Sequence, residues 1–421
     1  MTQLELLLPL PNASLFVPRR WPIINLGDKL LAVLMSTPRN LLIVGCVSAQ
    51  ICLWNGTSYA GRTDPSLGPG WVASPSLVGL EPIITKDFNP PAGKKAATLP
   101  GTNAPDNVGA FRFICGPGQI LPDDPIVFPG QPGRSHLHQF YGNTSANARS
   151  TYETLRASGD STCSGPANAL NRSAYWMPAM LDGKGNILRP NYVTVYYKRF
   201  PKSSPECTNT VFSKGCVSIP NGLRMIAGRD MLNLSAPPTG AFNFSCTKPT
   251  GQNAGKGSYR TIPEALAICG PGWQLTLGLD FPSCWDGVHL DSPDHRSHVG
   301  YARYVAGGRA CPKKTPYFMP SFKIFASYSI IEGDDVSLWR LSSDAMAPND
   351  PAGLTLHGDY FEGWDPGTKQ EWTDNCIDKM LSCTGGNLGD GFTLKGAQAP
   401  PWGWKTVPER LVPAPIPSHT M

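Results

Sequence analysis

The chain predicts a mainly β fold: a β-sandwich or jelly-roll-like domain with long disulfide-tied loops and few helices. Three observations predict it. Gly and Pro number 44 and 43 of 421 residues, and these are the two worst residues for a helix interior; they follow no Gly-X-Y period, which excludes collagen. The apolar runs are short, β-branched and aromatic, and turn residues separate them. One segment alone, 369–381, has helical spacing, with Trp372, Cys376, Ile377, Met380 and Leu381 on one stripe.

The strand candidates come in order along the chain. Residues 111–114 (FRFI) are the first, and 192–197 (YVTVYY) are β-branched or aromatic throughout. Residues 223–227, 274–281 and 322–331 follow. Hydrophobic residues make up 41% of the chain, enough for a sizeable core, and only 16% are charged. The net charge of +5 is small and its basic residues are scattered, whereas a nucleic-acid binder carries a basic stripe or cluster.

The start of the chain predicts export. Residues 1–60 form the signal region, with Met35 as the true start, Arg39 as the positive n-region, an apolar h-region over 41–54 and a small-x-small site at Ser58-Tyr59-Ala60. The mature protein then begins at Gly61. The 41–54 stretch falls short of the ~20 residues of a spanning helix. Residues 61–105 are a Pro/Gly-rich arm, 106–397 the β domain, and 398–421 a Pro-rich tail. Ten cysteines lie beyond the signal, an even number that predicts disulfides in an exported chain; Cys207/Cys216 and Cys376/Cys383 are close enough to pair locally. Asn143, Asn171, Asn233 and Asn243 head N-x-Ser/Thr sequons.

Six of the seven histidines fall in three polar segments: 133–143, 284–298 and 356–365. On a strand, His136 and His138 project to one face. The second segment holds Asp286, His289, Asp291, Asp294, His295 and His298, and the third His357 and Asp359. Polar clusters of this kind, carried on loops over a rigid scaffold, are the usual form of a site. The expectation is one cleft lined by His136, His138, Asp286, His295, His298, His357 and Asp359. A faint internal echo (Cys115-Gly-Pro-Gly and Cys269-Gly-Pro-Gly, each followed by a His pair) suggests that both pairs meet at one seam.

These three segments, with 170–176 (LNRSAYW) and 222–228 (GLRMIAG), resemble the DUF1996 family over roughly 120–380. That resemblance implies a secreted extracellular domain of fungal and bacterial proteins and assigns no reaction.

Two chemistries compete for the cleft. Acid–base action on an extracellular polysaccharide or cell-wall glycan needs either two carboxyl groups across the glycosidic bond or a base beside a uronate with a cation to neutralise it. Arg134 and Arg296 are the candidate cations. Trp176, Trp285 and Trp364 are candidate sugar platforms, although a single Trp is more often core. The alternative is a divalent transition metal on His136, His138, His298 and His357; no H-E-x-x-H motif supports it, and Gly61 cannot form an N-terminal copper brace. A non-catalytic glycan-binding protein is the third possibility.

Overall fold

The structure is a computed structural model that describes residues 72–73, 94–163, 170–236, 242–394 and 410–414. The expected signal region and His419 lie outside the described residues. Two sheets carry the architecture. Their strands are β1 (Gly109–Cys115), β2 (Pro117–Leu121), β3 (His138–Gly142), β4 (Ala174–Pro178), β5 (Tyr192–Arg199), β6 (Arg224–Gly228), β7 (Phe242–Thr247), β8 (Gln274–Asp280), β9 (Ser321–Ser329), β10 (His357–Phe361) and β11 (Ser382–Cys383). The six-stranded sheet runs β7-β8-β9-β5-β1-β11 and the five-stranded sheet β6-β10-β4-β3-β2. Pairing is antiparallel except between β1 and β11.

The strands form because their sequences alternate. In β5 every second residue, Val193, Val195, Tyr197 and Arg199, is buried. Val193, Val195 and Tyr197, with Phe111, Phe113, Leu277, Phe322 and Ile324, meet Tyr175, Met177, Met225 and Tyr360 of the other sheet in one core. Phe322 stacks on Phe281 at 4.1 Å and meets the Tyr360 ring edge-on at 4.6 Å. Each such side chain contributes about 1.5–3 kcal/mol by leaving water. The predicted sandwich is therefore present, with the five-stranded sheet turning its other face outward.

The single predicted helix is shifted. α2 spans Pro366–Trp372 and continues as a π-helical turn over Thr373–Ile377. Asp365 caps it by accepting from the Thr368 N–H, and Pro366 occupies the first turn, where its missing N–H costs nothing. The predicted end at Leu381 is not reached: Met380 is already left-handed, at φ 56°. A short helix that periodicity missed, α1 (Tyr152–Ala157), is fixed by a Thr151/Thr154 capping box.

Both flanking segments contribute strands. Lys94–Ala96, in the predicted loose arm, pairs with Phe392–Leu394, and Leu411–Pro413 of the predicted tail pairs with Asn186–Leu188. Proline is tolerated there because an edge strand leaves one row of N–H groups unused. All ten cysteines pair: Cys115–Cys163, Cys207–Cys216, Cys246–Cys269, Cys284–Cys311 and Cys376–Cys383. Among the described residues no helix is long and apolar enough to cross a membrane. Of the sequon asparagines, Asn233 is exposed, whereas Asn143 and Asn171 are fully buried. The Asn143 amide donates to the carbonyls of Leu155 and Ser158, both at 3.0 Å.

One titration is built into the fold away from any cleft. Burial and the neighbouring Asp390 push the Glu371 carboxyl up to about 7, against the pull of Lys94, its ion-pair partner. The folded state then holds this proton more tightly than the unfolded chain. The resulting stability is present below the ordinary value of 4.5 and is lost as pH rises through about 7. Urea denaturation across that window is expected to show stability falling with pH, and a smaller fall in Glu371→Gln.

Candidate functional site

The outer face of the five-stranded sheet carries the polar cluster. His138 opens β3 and lies opposite Pro178 of β4; two residues on, Phe140 lies opposite Trp176. On β10, Asp359 faces Trp176 from the other side, and β6 sets Gly228 against His357 and Ile226 against Asp359. Period-2 alternation thus puts His138, His357 and Asp359 on one face, while Gly358 and Tyr360 point into the sandwich. A Cβ on Gly358 would come within 2.4 Å of Leu279, so glycine is what lets β10 lie close against the core. His136 reaches the cluster from the loop before β3. The ring centroids are 4.1 Å apart for His136–His138, 5.1 Å for His136–His357 and 5.7 Å for His138–His357.

Each imidazole is oriented through Nδ1. His138 Nδ1 contacts the Asp123 carbonyl at 2.9 Å and His357 Nδ1 the Thr355 carbonyl at 2.8 Å. His136 Nδ1 lies 3.2 Å from the Leu137 carbonyl and 3.1 Å from Ser342 Oγ. A carbonyl only accepts, so the proton belongs on Nδ1 and the Nε2 lone pair is left to face the cluster. His136 Nε2 and His357 Nε2 are 3.2 Å apart. Burial holds all three rings neutral. It lowers His136 to about 4, and it lowers His138 and His357 well below their ordinary value, helped by the charge each neighbouring imidazole would carry.

Asp124 completes the cluster, and sequence reasoning missed it. It follows β2 in Pro122-Asp123-Asp124-Pro125, two adjacent acids between prolines in a sparsely charged chain; that was the available signal. Its Oδ1 accepts from the Ile126 and Val127 N–H groups at 2.8 and 2.9 Å. Asp123 ties the same loop down by accepting from the Gly133 and Ala148 N–H groups. Candidate ligand atoms of Asp124, His138 and Asp359 lie within 4.8 Å of one another, as do those of His136, His138 and His357. Burial raises the Asp359 carboxyl well above the usual carboxylate range, and the nearby Asp124 charge adds to it. Asp124 is raised by burial against the two N–H groups it accepts from.

A cleft of about 140 Å³ opens above this floor. It is lined by Asp124, His136, His357 and Asp359, by Arg134 and Arg296, and by an apolar wall that includes Phe128 and Ile226. Arg134 is exposed, lies over the Phe128 ring and donates to Gln131.

The remaining predicted site residues fall elsewhere. Asp286 accepts from the Val288 and His289 N–H groups and contacts His289 Nδ1 at 2.6 Å, so it builds a turn. His298 is fully buried with both nitrogens engaged, Nδ1 with Ser292 Oγ at 2.9 Å and Nε2 with the Arg224 carbonyl at 2.7 Å; it is neither a free base nor a free ligand. His295, left-handed at φ 55°, contacts Asp291 at 2.9 Å on the loop whose Arg296 reaches the cleft. Trp176, Trp285 and Trp364 are buried and cannot stack on a sugar. The two His pairs do not meet as equivalents at one seam: the first is the cluster itself, and half of the second is structural.

Residues 124–364 match the family described as Domain of unknown function (DUF1996). No curated protein and no solved structure matches the chain.

Proposed function

The chain belongs to the DUF1996 family, whose description assigns no reaction, and we propose from the cleft that it is an exported enzyme that cuts an acidic extracellular polysaccharide by elimination there. The supporting observation is that one cleft brings two guanidinium groups, Arg134 and Arg296, to a floor of imidazoles and carboxyl groups drawn from segments more than two hundred residues apart. Elimination beside a uronate carboxylate needs a cation to neutralise that carboxylate and a base to take the proton from the neighbouring carbon; the C–O bond to the next sugar then breaks, a carbon–carbon double bond forms, and the departing oxygen takes a proton from the conjugate acid of the base or from water. Arg134 and Arg296 serve as the cations. Asp124 is the base: its orientation is fixed by two backbone N–H groups and burial makes it more basic than an ordinary carboxylate. Phe128 offers an aromatic surface to the sugar. Two-carboxylate hydrolysis fits less well. It needs two carboxyl groups on opposite sides of the bond, whereas Asp124 and Asp359 sit together beside the same imidazole. Five disulfides support export.

The test is incubation of the purified protein with polyuronates and, in parallel, with neutral glucans. The expected result is unsaturated, ultraviolet-absorbing chain ends from a uronate polymer alone. Asp124→Asn is expected to lower kcat by about 10²–10⁴. Arg134→Met is expected to lower kcat/KM about 10- to 100-fold, the loss of one charged hydrogen bond of about 1.5–3 kcal/mol. Saturated products, or no product from any acidic polymer, would overturn this function.

A further inference from the structure

We propose that the floor of the cleft binds one first-row transition-metal dication through Nε2 of His136, His138 and His357, with Asp359 beside His138. What the ion does for catalysis rests on the function proposed above; whether it binds does not.

The first argument is the direction of the lone pairs. With Nδ1 of each ring facing a carbonyl, three acceptor nitrogens converge with no donor between them. Two lone pairs 3.2 Å apart repel unless something electrophilic is shared between them. The distance fits an ion. Two nitrogens each ~2.1 Å from a metal are separated by about 3.0 Å at a right angle and about 3.4 Å at the tetrahedral angle, and 3.2 Å lies between.

The second argument is the orphaned atoms. His138 Nε2 and both carboxylate oxygens of Asp359 are buried without a hydrogen-bond partner, and both residues are fully buried. Buried polar groups are normally satisfied, and each exception calls for an explanation such as an absent ion. His298 provides an internal contrast. It is equally buried, yet both its nitrogens are bonded, which is what a structural histidine looks like in this protein. The cluster imidazoles spend one nitrogen each on a carbonyl and aim the other at a common point, the arrangement of a metal-bound histidine with its outer hydrogen bond.

The third argument is donor type. Three imidazoles, with a carboxyl group beside one of them, suit zinc, copper, iron or nickel, whereas magnesium and calcium take oxygen ligands. Asp124, beside Asp359, adds a second negative charge that a dication offsets. At the base of the cleft such an ion polarises a bound carboxylate or hydroxyl.

The experiment is metal titration of the folded, chelator-treated full chain with Zn²⁺, Mn²⁺, Fe²⁺ and Cu²⁺ separately. Calorimetry and elemental analysis after gel filtration provide the readout, with no substrate present. One equivalent of at least one ion is expected, and Co²⁺ loading is expected to give the visible absorption of nitrogen ligation. His357→Ala and, independently, His136→Gln are expected to weaken binding by more than the roughly 10- to 100-fold that loss of an outer hydrogen bond costs. His136 is only half-buried, so His136→Gln tests the site if His357→Ala does not fold. A folded wild-type protein that retains no stoichiometric ion would overturn the proposal. Binding left unchanged in a folded variant of either kind would overturn it equally. Metal binding without uronate cleavage would sink the proposed reaction and leave the metal site standing; cleavage insensitive to chelator, by a protein that binds no ion, would do the reverse.

Discussion

Lys369→Met is expected to destabilise the protein by about 3–5 kcal/mol. Lys369 lies on α2, almost fully buried, and its ammonium donates to Glu362 at 2.8 Å and also to Asn221. Glu362 is completely buried and accepts in addition from the Gly222 and Trp364 N–H groups, at 2.7 and 3.1 Å. Removing the cation leaves a carboxylate with no water and no counter-charge. The pair links the end of β10 to α2 and to the turn before β6, so its loss loosens one end of the sheet that bears the cleft. Urea denaturation of the variant measures the cost. The double variant Glu362→Gln/Lys369→Met is expected to recover most of it, because the penalty belongs to the orphaned charge rather than to the missing attraction. A single variant as stable as wild type would show that the ion pair carries little.

Asp359→Leu is expected to move stability and function in opposite directions. In the metal-free protein, the carboxyl is buried among Trp176, Ile226 and the imidazoles, without a partner. Replacing an unsatisfied buried group by an apolar one of similar size removes a penalty of about 1–3 kcal/mol. Thermal unfolding in chelator is therefore expected to show the variant more stable than wild type, while uronate cleavage and metal retention are weakened. A variant less stable than metal-free wild type would mean that Asp359 has a partner in solution.

The fold class was legible because it rests on period and composition. The run at 192–197 lies within β5, and 322–331 covers β9 except its first residue, Ser321. The helix was placed late because its start is set by a cap, Asp365 with Pro366, outside the periodic stripe. The site was legible in part. Scarcity of histidine pointed to His136, His138 and His357; the i, i+2 alternation read for His136 and His138 does not apply, because the strand begins at His138 and His136 lies in the loop before it. Asp124 carried no histidine and was passed over. Asp286 and His298 were included because composition cannot tell a side chain that holds a turn from one that faces a cleft; only their hydrogen-bond partners do. The tryptophans failed for a related reason, since Trp176 stacks on Phe140 at 5.3 Å behind the cluster and supports the floor without reaching the cleft.

The two asparagines buried within glycosylation sequons set a condition on biosynthesis. Asn143 and Asn171 have no surface exposure, and the Asn143 amide clamps the end of α1. A cell that transfers oligosaccharides to nascent chains would meet these sequons before the surrounding strands close. A sugar tree on either nitrogen is too bulky and too polar for the finished interior. If the chain takes a secretory route that carries the transferase, productive maturation depends on folding outrunning it. The choice of expression host thereby becomes a structural variable for this protein.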